Sequence, residues 1–429
     1  MKISTFIHIL DNKVWDAYNK EFIDLSNENI AFINKYKNQP IPTTIEVPTE
    51  LMSMGIITTY QKEKELLMHL KEITRDYQFQ SLYLICSTAC NLDCDYCFYR
   101  SGASNSLKER QMMSFEVAKK SLDDFKKIVE HNIKDEGYWQ QITFYGGEPL
   151  INKEMLYQAI PYTRKLFGFG NDTNLVINTN AVLLEDADIQ LFKDNNVEVQ
   201  ISLDGDQYIH DLHRKTYDGK PTYNIVINNM KRLLNNGVKV LPMITATDDN
   251  INGFSERVHR IVDGLKIDDY AVNVLITNSF KTSEEYTEKL ATEMLKAYHD
   301  FGNIATDYAF VELYNKLIGL DKSISKNSCG SSRKITVFPD GRVFACQALE
   351  KVKENAMGTI DSEYLSNTNW ECWRNRSRFD NPECLDCASI ISCGGGCATG
   401  SYNLNKSIYD IDKNNCEYTK KLFKKIHHI

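Results

Sequence analysis

Between residues 79 and 300, short apolar runs alternate with amphipathic stretches. The runs at 82–86, 142–145, 175–178, 197–203, 238–244 and 270–276 are short enough for buried strands. Between them apolar residues recur every three to four positions, most clearly in the stretch capped by Ser114 and continuing over 115–125, which predicts helices. Strands alternating with helices imply parallel βα units, and six such units make an incomplete (β/α)6 barrel of α/β class. In barrels of this kind, function collects at the carboxyl ends of the strands.

The flanks follow other patterns. Residues 1–78 open with two β-like runs, 3–10 and 14–18, around a turn at Asp11-Asn12; helical stretches follow over 27–37 and 61–74, with Pro40, Pro42, Pro48 and Gly55 between them. This small α+β piece is expected to be either a winged-helix-like module or a cap that packs on the barrel. Residues 301–429 form a third, cysteine-rich segment, giving expected domains of 1–78, 79–300 and 301–429.

Composition narrows the class. A chain of 429 residues is too long for one ordinary core, and 42% hydrophobic with 25% charged residues marks it as globular. A net charge of -8 argues against a general nucleic-acid binder. No apolar run is long enough to span a membrane, and the opening ten residues run into Asp11, Asn12 and Lys13 without a small-residue cleavage site, so a strand is expected there and not a signal peptide. The chain is therefore read as cytoplasmic, where twelve cysteines point to metal and not to disulfides.

Cys90, Cys94 and Cys97 form a CxxxCxxC triplet directly after the first barrel strand. Three thiolates this close suit a 4Fe-4S cluster that keeps one iron without a protein ligand; zinc sites usually pair their cysteines as CxxC. Cys86, inside the apolar run, reads as a small buried residue. Gly146-Gly147-Glu148-Pro149 follows the second strand, where its glycines permit close backbone approach. Asn180 closes the third strand and reads as a hydrogen-bonding residue or an ordinary turn asparagine. By alternation Ser202 and Asp204 face one side of the fourth strand, two polar groups able to meet a ribose, and Arg214 offers a fork for a carboxylate. His210 and His213 are assigned structural or capping roles.

These motifs, in this order, resemble the radical S-adenosylmethionine (SAM) superfamily, including the aromatic Tyr96 before the last cysteine of the triplet. The resemblance implies that SAM chelates the open iron, that Gly146, Gly147 and Glu148 meet its amino group, and that Ser202, Asp204 and Arg214 serve it as in sulfatase-maturing enzymes and peptide maturases. The third strand departs from the usual form, with Ala181 where a glycine is common. The spacing of Cys329, Cys346, Cys384, Cys387, Cys393, Cys397 and Cys416 is similar to the SPASM extension, which holds two auxiliary 4Fe-4S clusters. By that likeness Cys384, Cys387, Cys393 and Cys416 ligate an outer cluster, and Cys329, Cys346 and Cys397 an inner one that either has an open iron or recruits Cys372.

The resemblance further implies a maturase of a ribosomally made precursor peptide with a leader sequence, fed by an electron donor such as flavodoxin or ferredoxin. The expected product is a thioether cross-link, ahead of carbon–carbon closure and epimerisation. The first rival is a sulfatase maturase forming formylglycine; there an aspartate base follows the cysteine at position 346, where this chain has Gln347, which cannot take up a proton in that way. Asp211 and Glu350 are the candidates to replace it. The second rival is an iron–sulfur electron carrier or peptide-binding scaffold, which has no need of a SAM pocket.

Overall fold

A computed structural model describes residues 1–75, 77–100, 110–133, 138–170, 173–275, 282–302, 304–326 and 330–429. The six expected barrel strands are present in order. Counting the short strands of the first segment (β1 Lys2–Ile3, β2 Ile7–Leu10, β3 Lys13–Asp16, β4 Glu21–Ile23, β5 Ile57–Thr58), they are β6 Ser81–Ser87, β7 Gln140–Gly146, β8 Thr173–Thr179, β9 Glu198–Ser202, β10 Val240–Thr245 and β11 Asp269–Asn273. Each pairs in parallel with the next. The end of the sixth apolar run, at 276, lies outside the described residues.

The sheet does not close. A two-residue strand, β12 Thr306–Asp307, adds in parallel to β11 at one edge. At the other edge β13 Lys334–Val337 pairs in parallel with β6 and continues antiparallel into β14 Arg342–Phe344 and β15 Ala356–Thr359. The cysteine-rich segment thus shares a sheet with the barrel.

The barrel strands bury both faces: Leu84, Ile142, Phe144, Val176, Ile177, Val199 and Ile201 are all fully enclosed, as expected of parallel strands covered by helices. The helix Phe115–Glu130 shows how sequence sets that cover. Ser114 accepts the Val117 amide as N-cap, and Ala118, Leu122, Phe125 and Val129 fall on the buried face.

The first segment differs from its expected form in two respects. The run at 3–10 is split between β1, which pairs with β5, and β2, which forms a hairpin with β3. Asp11 and Asn12 both take positive φ, 46° and 62°, as a tight two-residue hairpin turn requires. A third strand, β4, completes the meander; its three residues carry too little alternation to be read from sequence. The segment is stitched to the cysteine-rich part: Trp15 Nε1 donates to the Ala388 carbonyl at 2.9 Å and buried Lys20 donates to the Asp321 carbonyl at 2.8 Å. Among the described residues, no helix is long and apolar enough to cross a membrane.

Candidate active site

A cavity of about 610 Å³ opens at the carboxyl ends of the barrel strands. The last residues of β7 to β11 all reach it (Gly146, Thr179, Ser202, Thr245 and Asn273), and the cysteine-rich segment closes it with Gln347, Cys397 and Asp412.

Cys90, Cys94 and Cys97 line this cavity from the loop after β6. That loop is pinned by a bridge between Leu92 and Thr216 and by the Asp93 amide donating to the Lys215 carbonyl at 2.7 Å. Burial pushes the Cys90 thiol up to about 12, with Glu148 and the other two cysteines adding to the rise. Burial does the same to Cys94, also to about 12, although Arg214 pulls the other way. Three neighbouring sulfurs on one loop whose ionised forms repel one another are stabilised by a cation that holds all three as thiolates. No group of three His, Cys, Asp or Glu among the described residues is arranged for a single metal ion. A single zinc draws its sulfurs in to about 2.3 Å from one centre, whereas a cluster is held through separate irons at its corners. The donor set therefore fits a three-cysteine cluster in its chemistry, its shared loop and its shared cavity.

Gly146 holds the neighbouring strand end. Its φ is +142°, and a Cβ there would lie 2.3 Å from the Ser87 carbonyl oxygen, so β6 and β7 can approach only with glycine at this position. The next two amides donate back across the gap, Gly147 to Ser87 and Glu148 to Ala89, both at 2.9 Å. Glu148 is buried and accepts from the Leu150 amide (3.0 Å), the Thr179 hydroxyl (2.6 Å) and the Asn180 amide (2.8 Å). Burial nonetheless raises its pKa to about 7. Asn180 donates to Asn91 at 2.8 Å and accepts the Val182 amide at 3.0 Å, so it links the cysteine loop to the β8 turn. Ala181 sits at φ 57°, the left-handed conformation that explains why glycine is common there; Asn229 anchors its carbonyl at 2.7 Å.

Ser202 lines the cavity as expected. Asp204 does not meet it as the alternation argument predicts, because β9 ends at Ser202 and the chain then turns inward. Asp204 is fully buried. Arg214 grips its carboxylate from both sides, Nε to Oδ2 at 2.7 Å and Nη2 to Oδ1 at 3.1 Å, while the Tyr96 hydroxyl and the Thr245 amide also donate to it. Burial works against the Asp204 charge, but Arg214, His210 and Tyr96 together bring its pKa below the ordinary carboxylate value. The fork of Arg214 is thus already engaged, and its plane lies 5.3 Å from the Tyr96 ring. This pair braces the cysteine loop. His210 accepts the Asp204 amide and meets the Thr222 hydroxyl at 3.1 Å; burial lowers its pKa to about 4, so it is neutral. His213 pairs with Asp95 at 2.9 Å.

In the cysteine-rich segment, Cys384, Cys387, Cys393 and Cys416 share one neighbourhood. Burial raises Cys384 to about 11 and Cys416 to about 12, and each feels Cys387 and Cys393. Lys420 offsets part of that rise for both, and Arg378 adds to the offset at Cys384. Cys397 lines the main cavity and its amide donates to Asp412 at 2.9 Å; Cys346 is buried with its sulfur 3.5 Å from the Thr399 hydroxyl. Cys329 lies outside the described residues. Burial and a hydrogen bond with Cys372 push the Tyr409 hydroxyl up to about 12, and Tyr409 lines a small pocket with Cys384, Cys393 and Cys416, so Cys372 stands on the side of the outer set.

Gln347 reaches the cavity, whereas the two candidate replacement bases do not line it. Asp211 caps the Thr222 and Tyr223 amides at 2.8 and 2.9 Å, and Glu350 pairs with Arg342 at 2.8 Å. The sequence reading missed Tyr99, Thr245 and Asp412, all at the cavity. Thr245 had a signal in its place at the end of the fifth strand, and Tyr99 in its place two residues beyond Cys97; Asp412 had none.

Residues 84–263 match the family model described as Radical SAM superfamily. Over 442 aligned residues the chain is 24% identical to the Radical SAM cyclopropyl synthase TigE of Paramaledivibacter caminithermalis, covering 97% of this chain and 89% of that protein. It is 25% identical over 335 residues to a cysteine-type anaerobic sulfatase-maturating enzyme of Clostridium novyi, covering 72% of this chain and 85% of the relative. Among solved structures it is similar to native anSMEcpe with bound AdoMet and Kp18Cys peptide, with TM-score 0.66 and 20% identity over 81% of this chain and 98% of that one. At that identity the likeness is one of fold.

Proposed function

The chain carries a radical SAM domain and is a radical SAM enzyme, and from that premise we propose that it modifies a ribosomally made peptide, forming a thioether cross-link. The observation that carries this reading is the composition of one cavity: the cysteine triplet, the strand ends and the cysteine-rich segment all reach it. A substrate seated there touches the triplet on one side and Cys397 on the other. That arrangement suits removal of a hydrogen atom on one side and of an electron on the other. The solved structure with AdoMet and a peptide bound shares this fold.

In this reading Cys90, Cys94 and Cys97 hold a 4Fe-4S cluster and the Gly146–Glu148 turn receives the amino group of SAM. When bound, the two supply a 5'-deoxyadenosyl radical that takes a hydrogen atom from a substrate carbon. Ser202 faces the ribose, while Arg214 and Asp204, locked together, hold Tyr96 and the cysteine loop in place. Cys384, Cys387, Cys393 and Cys416 hold an outer auxiliary cluster, and Cys329, Cys346 and Cys397 an inner one, to accept the electron released on bond closure. The first segment receives the leader of the peptide, and a flavodoxin or ferredoxin supplies electrons.

Gln347 at the cavity weighs against formylglycine formation, which needs a base there. Carbon–carbon closure is the second reading, favoured by the near full-length similarity to a cyclopropyl synthase. High-resolution mass spectrometry separates them, on a small peptide encoded beside this gene after anaerobic incubation with reconstituted enzyme, SAM and reductant in deuterated buffer. Loss of about two mass units with a cysteine no longer alkylatable is the expected result. The same loss with free thiols would select carbon–carbon closure, and deuterium gain without loss would select epimerisation.

A further inference from the structure

One stretch of the cavity wall is left unassigned by the SAM contacts. Gln347 follows Cys346 beyond β14, and its Oε1 accepts a hydrogen bond from Lys334 Nζ at 2.7 Å. Lys334 stands on β13 behind the wall, its ammonium 4.7 Å from the centre of the Tyr83 ring, and that ring itself faces the cavity. An ammonium group has donors only. It therefore fixes which end of the amide it meets: the oxygen of Gln347 turns toward Lys334, and its two N–H donors are left for the cavity.

A second, independent feature lies nearby. Tyr99 is 3% exposed, lines the same cavity, and has a hydroxyl with no hydrogen-bond partner among the described residues. A buried hydroxyl in that state is costly and is satisfied by a ligand that accepts from it. The Tyr99 ring lies 6.4 Å from that of Tyr145, which in turn is 5.8 Å from the Tyr83 ring beside Lys334, so phenol and amide belong to one wall of the cavity.

We propose that Gln347, oriented by Lys334, and Tyr99 form a donor pair that receives a carbonyl oxygen of the substrate peptide. An N–H and an O–H together match the two lone pairs of such an oxygen. The inference rests on the peptide-modifying reading and adds the substrate group that is held. Lys334 is a positioning residue: it touches the amide and not the peptide. At this position, where a base is required for formylglycine, the chain presents a donor for an acceptor already in place.

The probe is N-acetylalanine N-methylamide, a minimal pair of peptide carbonyls, titrated by NMR into the full-length, anaerobically reconstituted protein. Saturable binding to the wild type is expected, weakened about tenfold in Lys334→Met, the equivalent of one hydrogen bond. Gln347→Glu should weaken it as much, since its carboxylate accepts from Lys334 but offers no donor. Lys334→Arg, which still donates to the amide oxygen, should bind within about threefold of wild type. Absence of saturable binding in the wild type, unchanged binding in Lys334→Met, or full binding in Gln347→Glu would each overturn the proposal. Reductive SAM cleavage by the wild type, read as 5'-deoxyadenosine without the probe, tests the underlying reading separately.

Discussion

The two cysteine regions compensate for buried sulfur in different ways. At the barrel ends Arg214, itself paired with Asp204, pulls Cys94 down, while the neighbouring Glu148 carboxyl pushes Cys90 further up. In the outer set, Lys420 and Arg378 temper the rise caused by burial and crowding. Both sets are thus offset only in part by the protein, by one already paired cation at the barrel and by two cations in the outer set. On the proposed assignment, the first is a centre that exchanges a ligand and the second one that is only held.

The largest break in this comparison comes from the cysteines themselves. Cys94→Ala should abolish reductive SAM cleavage, by about a thousandfold or more, because the triplet has no spare ligand. Cys393→Ala should lower the iron content but keep formation of 5'-deoxyadenosine. Liquid chromatography of the nucleoside beside an iron assay checks both, and equal losses would erase the distinction.

Next comes the brace. Arg214→Met leaves Asp204 buried without its partner, which costs about 3–5 kcal/mol, whereas Arg214→Met with Asp204→Asn should recover much of that in urea unfolding. A double variant as unstable as the single one would show that the pair does more than neutralise itself.

A smaller effect lies at the seam between barrel and cysteine-rich segment. Asp307 on β12 is buried, which raises its pKa to about 6, against amides donated by Val272 and Phe310. A carboxyl raised in the folded state favours folding fully below its unfolded pKa and loses that contribution as pH rises through about 6. Asp307→Asn should therefore remove a decline of about 2–3 kcal/mol between pH 4 and 7, seen as a flatter pH dependence of the unfolding midpoint. The smallest change is Ala181→Gly, which relieves a left-handed alanine and should gain about 0.5–1 kcal/mol without altering activity.

Legibility in the sequence followed the range of the interactions. The six parallel strands, the triplet and the Gly146–Pro149 turn were readable because each is local and periodic, and the turn falls directly at a strand end. The role of Arg214 was not, because its partner depends on the chain folding back after β9 so that Asp204 points inward. β13 to β15 joining the barrel sheet, and Gln347 arriving at the cavity with Lys334 behind it, are long-range pairings with no signature in either segment. The first segment showed its helices, but its run at 3–10 concealed a break that only pairing with β5 creates.

The most direct test of a peptide seated against the triplet is hydrogen transfer. The reconstituted enzyme, reduced and supplied with SAM, would be given the neighbouring-gene peptide fully deuterated on its side-chain carbons. Deuterium appearing in 5'-deoxyadenosine, in step with the change in peptide mass, is the predicted result. 5'-deoxyadenosine that forms without deuterium while the peptide changes would contradict a substrate carbon held at this cavity.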